Sequence, residues 1–312
     1  MKKITAAFAA FALASGVAWA GDATPAAKDA VEIKFGAKVG DVLRFRETES
    51  SSTEAGGKAR SGEEISQEYA ATVKALRPDG GVDVEVSFEK VHNKILNPAT
   101  GTWMEIDTSK PLPEGADMQA KMVDMIARAM VGHAFTVTLD AHGAATAVTG
   151  LREAIKAGVK GNPMESMFPV DQAFGDEICM KLAVSLFAAA PAAPHAVASK
   201  WTENVKAEVS SQDLEFAVES TLSAATPDDA TVASKYTWAP GAKATADGAK
   251  AAGGGDCTSK FSRKDGFVLS MKRHLEANRD TAATKATSHT DVAIERLAPA
   301  AAKPADTPPA KK

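Results

Sequence analysis

Between residues 69 and 88 two runs of alternating apolar residues flank one turn: Tyr69, Ala71, Val73 and Ala75, then Arg77-Pro78-Asp79-Gly80-Gly81, then Val82, Val84, Val86 and Phe88. A period of two places one set of side chains on a single face of a strand, and Pro-Asp-Gly supplies the preset φ and the left-handed step of a tight reversal. This β-hairpin demands a neighbour, because a lone pair of strands with one apolar face is only marginally stable in water. The fold must therefore be built around antiparallel sheet.

The same period recurs on either side. Val31, Ile33 and Phe35, then Val42, Leu43 and Phe45 after Val39-Gly40-Asp41, read as strand, turn, strand. Residues 50–64, rich in Ser, Gly and Glu around Gly56-Gly57, read as a flexible hairpin tip or loop. A short strand is expected at 102–106, and Phe135, Val137 and Leu139 turn through Asp140-Ala141-His142-Gly143 into a further strand at 145–148. Between them the period changes. Met118, Met122, Met125, Ile126, Ala129 and Met130 recur every three or four residues, which predicts an amphipathic helix over 114–131. Residues 151–159 and 171–189 read as further helices, and residues 267–274 and 280–297 as the last strands. Residues 240–255 read as a Gly/Ala-rich loop.

The expected architecture is α+β and β-rich: curved antiparallel sheet with a few helices in the middle of the chain packed on one side. Residues 31–297 form one domain with two candidate halves, 31–150 and 195–297, joined by a helical stretch at 151–194. The halves share the order of their turns, with Pro78-Asp79 matched by Pro227-Asp228 and Gly143 by Gly266. A duplicated strand unit explains that order. So do unrelated hairpins with the same turn chemistry.

The first twenty residues predict export. Lys2 and Lys3 precede a short apolar stretch, and Ala18-Trp19-Ala20 offers small side chains at a cleavage site, so the mature chain is expected to start at Gly21 and to be periplasmic or secreted. Residues 21–30 are expected to be flexible, and the Ala/Pro/Lys tail at 298–312 to be disordered, since such compositions cannot bury enough surface to offset their ordering entropy. No later apolar run is long enough for a membrane span. The formal charge of −4 supplies no basic field for nucleic acid. The oligomeric state has no signature in the sequence.

Two cysteines, Cys179 and Cys257, lie far apart without CxxC spacing. In an oxidising compartment they read as a disulfide, with two buried thiols as the alternative. His92, His133, His142, His195, His274 and His289 never fall at HxH, HExxH or CxxCH spacing, so no metal and no haem is expected, although distant ligands such as His133 and His142 could converge across a hairpin. GxSxG and SxxK are absent, Glu63-Glu64 and Asp228-Asp229 read as solvated loop carboxylates, and no cofactor loop is present. The expectation is a protein that is not an enzyme. Met122 with Met125, and Met164 with Met167, are thioether pairs that could take Cu(I), but methionines on the apolar stripe of a helix are first a packing device. That stripe suggests a ligand groove at Met118, Met122, Met125 and Ile126, adaptable enough for a lipid or a hydrophobic segment of an envelope protein. The alternative is a structural or assembly factor that binds partners through sheet edges and has no cavity.

The ordered features Val39-Gly40-Asp41 with Phe45 and Arg46, the run from Phe135 to Asp140 with Gly143 and Val148-Thr149-Gly150, and Val197 with Trp201-Thr202 resemble a family of exported bacterial proteins known only as a domain of unknown function. The resemblance implies a β-rich envelope protein and carries no catalytic residues. It departs from the family pattern at Ala198-Ser199-Lys200, where a Gly-Asp turn is usual. At the level of fold, the expected sheet is similar to envelope lipid and lipoprotein carriers.

Overall fold

The structure is a computed structural model that describes residues 29–209, 212–238, 250–280 and 285–299. The expected signal peptide, nearly all of the 21–30 segment and the tail beyond Pro299 lie outside the described residues, as does the 240–249 part of the expected loop.

One antiparallel sheet of twelve strands organises the molecule, in the order β6-β5-β3-β2-β1-β12-β11-β10-β9-β8-β7, with β4 paired to β3 off that path. The chain starts at the centre with β1 (Val42–Ala55) and moves outward through β2 (Lys58–Leu76) and β3 (Val82–Asn97). The long β3 is then shared. Its second half pairs β4 (Thr102–Asp107), and its first half pairs β5 (Ala134–Leu139), which in turn pairs the edge strand β6 (Ala145–Thr149). Helix α1 (Met118–Met130) connects β4 to β5. From β6 the chain crosses to the opposite edge through α2 (Leu151–Val159), a single 3₁₀ turn, the short α3 (Val170–Ala173) and α4 (Asp176–Ser185). It then returns inward as β7 (Lys200–Val209), β8 (Gln212–Ala225), β9 (Asp229–Trp238), β10 (Lys250–Ser262), β11 (Val268–Asp280) and β12 (Lys285–Leu297). β12 closes on β1, pairing from Arg44 with Leu297 to Ala55 with Ala286.

Local chemistry explains the departures from the sequence reading. Residues 50–64 are not a loose tip: β1 and β2 run on to a two-residue turn at Gly56-Gly57, with φ of 61° and 72°. Positive φ at both central positions matches the twist of a hairpin, so two glycines extend the strands despite polar side chains. Likewise 250–255 is the start of β10. A Cβ on Gly253 would lie 2.6 Å from the Glu276 carbonyl oxygen, and one on Gly255 2.0 Å from that of His274, so these glycines let a tightly bent strand press against β11. Residues 31–35 form no strand. Val31 makes a single bridge to His195, and Phe35 packs on Phe267 with ring centroids 4.7 Å apart. The expected helix at 171–189 breaks at Phe174-Gly175, and beyond Ser185 it becomes a strap without regular structure.

The core lies on the concave face. Leu43 and Phe45 of β1, Tyr69, Ala71 and Val73 of β2, and Val84, Val86 and Phe88 of β3 are all buried there in phase. Tyr69 stacks on Phe45 at 5.4 Å and meets the edges of Phe88 and Phe187 at 6.0 and 6.4 Å. Its hydroxyl donates to the carbonyl of Leu186, which satisfies the one polar atom of this cluster and anchors the strap. α1 covers the β3–β4 end. Asp117 caps it by accepting from the Ala120 N–H at 2.8 Å, and Arg128 clamps buried Asp124 at 2.8 and 2.9 Å while reaching the Thr108 carbonyl. At Gly158, α2 packs so closely on α1 that an added Cβ would fall 2.4 Å from Ala129 Cα.

Candidate functional site

The two halves of the sheet are covered unequally. Over β1–β3 and β5, helices and the strap fill the concave face. Over β7–β12 the sheet curls until Cα atoms of β7 come within 8 Å of β11 and β12, although three strands separate β7 from β11 in the hydrogen-bonded order. The trough so formed is roofed by the end of α4 and the strap that follows it, residues 184–191, and by Ala144 and Ala145 of the β5–β6 hairpin, and it encloses a cavity of about 80 Å³.

Register places the lining. Across the trough, Arg273 of β11 lies opposite Cys257 of β10, Cys257 opposite Ser234 of β9, and Ser234 opposite Ser220 of β8. One rung toward the strap, Met271, Ser259 and Val232 are in line, and Ile294 stands beside Met271. One rung away from it, Tyr236 faces Val218, and Val218 faces Glu203 of β7. Phe187, Phe261 and Val205 complete apolar walls around a polar stripe.

That stripe is electrostatically costly. Arg273 is 9% exposed, and its Nε has no hydrogen-bond partner. A buried guanidinium donor left unpaired costs free energy that a ligand acceptor would recover. Glu47 of β1, which is outside the cavity lining but feels the Arg273 charge, is 3% exposed and accepts from Gln67; burial lifts its pKa to about 7, against the pull of that bond and of that charge. Burial alone raises Glu203 to about 7. Tyr236 is pushed up by burial and by the Cys257 and Glu203 charges, with Arg273 opposing. Cys257 is also raised, chiefly by burial, so its thiol stays protonated and is a weak nucleophile. Ser220 and Ser234 hydrogen-bond each other at 2.8 Å, and the described lining of the cavity contains no histidine to activate either.

Of the residues singled out in the sequence, Cys257 lines the trough and the proposed groove residues lie elsewhere. Met122, Met125 and Ile126 are buried by packing of α1, Met118 is on the surface, and none of the four lines the trough. The helix that carries them contacts β3 and β4, and Arg128 ties it to the Thr108 carbonyl. Cys179 and Cys257 are both buried and free. Cys179 donates to the Phe174 carbonyl at 3.4 Å at the β6 end, whereas Cys257 faces Ser259 at 3.5 Å in the trough, so the expected bridge is not formed. Glu63, read as a solvated loop residue, is buried in β2, holds Asn93 at 3.0 Å and has its pKa lifted to about 7 by burial.

Arg273, Glu47 and Glu203 escaped the sequence reading, yet they leave a trace in it. Each is a charge in phase with inward apolar positions, as in Met271-x-Arg273-x-Leu275 or Phe45-x-Glu47. On the outer face, β11 and β12 bring His274, Glu276 and His289 together, with ligand atoms all within 4.8 Å of one another. Among the described residues no helix is long and apolar enough to cross a membrane.

No curated protein matches the sequence. A solved structure described as lipid-protein interactions in lipovitellin is similar over 87% of this chain, with 9% identity and a TM-score of 0.42, and this chain spans 26% of that one. A family model matches residues 79–268, from the first Pro-Asp-Gly turn through the start of β11, and the chain belongs to that family of unknown function, DUF6263.

Proposed function

We propose that the protein is an exported, non-catalytic binding module that holds an amphiphile, an apolar chain with an acidic head group, in the trough of β7–β12. The observation that carries this reading is Arg273: a buried cation with an unpaired N–H, set in a cavity with apolar walls. A carboxylate or phosphate there would complete the guanidinium's hydrogen bonding, while Val218, Val232 and Ile294 flank an aliphatic chain. The roof is a strap without regular structure, tied to the sheet through Tyr69, and its displacement would admit chains longer than the closed cavity accommodates. The charged N-terminal residues, the short apolar stretch and Ala18-Trp19-Ala20 support delivery to the envelope, where such ligands are abundant. The protonated thiol and mutually bonded serines favour binding over catalysis.

The test is native mass spectrometry of the chain purified from an envelope fraction, together with titration by a dansyl-labelled undecanoic acid. A lipid-sized adduct and saturable fluorescence, both lost in Arg273→Met, are expected. A bare wild-type chain that also leaves the probe's emission unchanged would overturn the reading. Assembly through sheet edges would instead use β6 or β7, the ends of the strand order. Of these, β6 is only five residues long and packs against α4.

A further inference from the structure

On the convex face, away from the trough, β11 and β12 juxtapose two short alternations. His274 and Glu276 project from β11, and His289 and Asp291 from β12, with Glu276 opposite His289 and His274 opposite Asp291 in register. The two imidazoles are stacked with centroids 6.1 Å apart and planes 27° apart, and His289 Nδ1 lies 3.9 Å from Glu276 Oε2. The ligand atoms of His274, Glu276 and His289 all fall within 4.8 Å of one another, and all three residues are half-buried. A tetrahedral ion with bonds of about 2.0 Å sets its ligands about 3.3 Å apart, so closure needs side-chain adjustment of about 1.5 Å at most and no movement of the paired strands.

The surrounding groups are arranged as the outer shell of a metal site would be. Asp291 Oδ1 lies 2.7 Å from His274 Nδ1, which fixes the proton on that nitrogen and leaves the Nε2 lone pair free. Asn278 Nδ2 donates to Glu276 Oε1 at 2.6 Å, leaving Oε2 on the side of His289, and Thr287 Oγ1 in turn donates to Asn278 Oδ1 at 2.8 Å. Asp256, opposite His274 on β10, adds a further negative charge. A cross-strand pair of histidines without a metal would have little use for a carboxamide orienting the carboxylate and a carboxylate orienting the imidazole.

We propose that His274, Glu276 and His289 form a binding site for a borderline divalent transition-metal ion, Zn²⁺ in the first instance. Two imidazoles and one carboxylate select such an ion over Mg²⁺ or Ca²⁺, which prefer sites built of oxygen. With three protein ligands on an accessible face, the fourth position stays open to water or an exchanging donor. The ion would pin β11 to β12 beside the β12–β1 pairing that joins the two halves of the sheet. The site stands on the opposite face from the trough, and its fate is independent of the ligand proposed there.

The experiment is isothermal titration of the tag-free, chelator-treated full chain with ZnCl₂, with MgCl₂ as the control. Saturation at one Zn²⁺ per chain and no Mg²⁺ binding are expected, with a visible d–d band of low symmetry when Co²⁺ replaces Zn²⁺. His289→Ala and His274→Ala should each weaken Zn²⁺ binding about 100-fold or more. Asp291→Asn and Asn278→Ala, which touch only the orienting groups, should weaken it about 10-fold, in the range seen for such partners. Circular dichroism of each variant checks that the sheet is retained. No saturable Zn²⁺ binding by the wild type, or wild-type affinity in folded His274→Ala and His289→Ala, would overturn the site.

Discussion

The two ends of one sheet solve the same problem differently. Around β1–β3 and β5, long apolar alternation meets α1, α2 and the Tyr69 cluster, and the concave face is filled with side chains such as Phe88, Ile126 and Ile155, each no more than 1% exposed. Around β7–β12 no helix separates the hairpins. The strands must cover themselves, and the glycines of β10 let the sheet curl until β7 approaches β12. Curling brings strands together but supplies fewer side chains than a helix does, and what remains is a cavity lined by Arg273, Cys257 and three serines of the sheet, Ser220, Ser234 and Ser259. Filled packing teaches where stability resides; incomplete packing with a buried charge teaches where binding does.

Core truncation should separate the halves most sharply. Phe88→Ala is expected to cost about 3–5 kcal/mol, the range for deleting a buried aromatic. Val232→Ala, on the cavity wall, should cost about 1 kcal/mol, because part of its surroundings is already void. Urea unfolding of both variants measures the gap, and equal losses would break the comparison.

Next in size is the charge at the boundary. Glu47 prefers its proton in the folded state, with a pKa near 7 against an ordinary 4.5. The folded state's preference for the protonated group is fully expressed below about pH 4.5 and is lost as pH rises through 7, a loss of up to about 3 kcal/mol. Glu47→Gln should therefore unfold at a higher temperature than the wild type at pH 8 and at a similar one at pH 4. Thermal melts at the two values decide it, and a variant less stable at pH 8 would show that the carboxylate works as a partner for Arg273 rather than as a burden.

Gly158→Ala tests how tightly the filled half is packed. Helix propensity favours alanine by about 1 kcal/mol, but the new Cβ meets Ala129 backbone at 2.4 Å, so a net loss of about 2 kcal/mol is expected. A stabilised variant would mean that α2 can slide on α1. The smallest effect belongs to the open half. Ala198 precedes β7 at φ 66°, and no other non-glycine residue among those described has a positive φ. Ala198→Gly should stabilise by about 1 kcal/mol in the same melts, since glycine adopts the left-handed region without the Cβ clash.

How much of this was legible in the letters depends on range. The Pro78-Asp79-Gly80 hairpin, α1, α2 and the β5–β6 hairpin could be read directly, because each rests on a period or a turn within about ten residues. Residues 50–64 and 250–255 could not. Their composition resembles loop, and only pairing partners supplied by β12, β2 and β11 hold them as strands. The candidate site was nearly hidden. The methionine stripe points to α1, where Met122, Met125 and Ile126 are buried in packing and Met118 is on the surface, whereas Arg273 and Glu47 were signalled only by charges in phase with buried neighbours.

From its own order of residues this chain determines antiparallel strands, their turns, the helical middle and the acidic balance, since alternation, glycine placement and charge act locally. Tertiary structure alone decided that β12 closes on β1, that Cys179 and Cys257 stay apart, that the trough opens over β7–β12, and that His274, Glu276 and His289 meet. Those outcomes depend on register between strands distant in sequence and on the curl of the sheet. A shift of one residue in either strand of a pair would turn the same side chains to the opposite face.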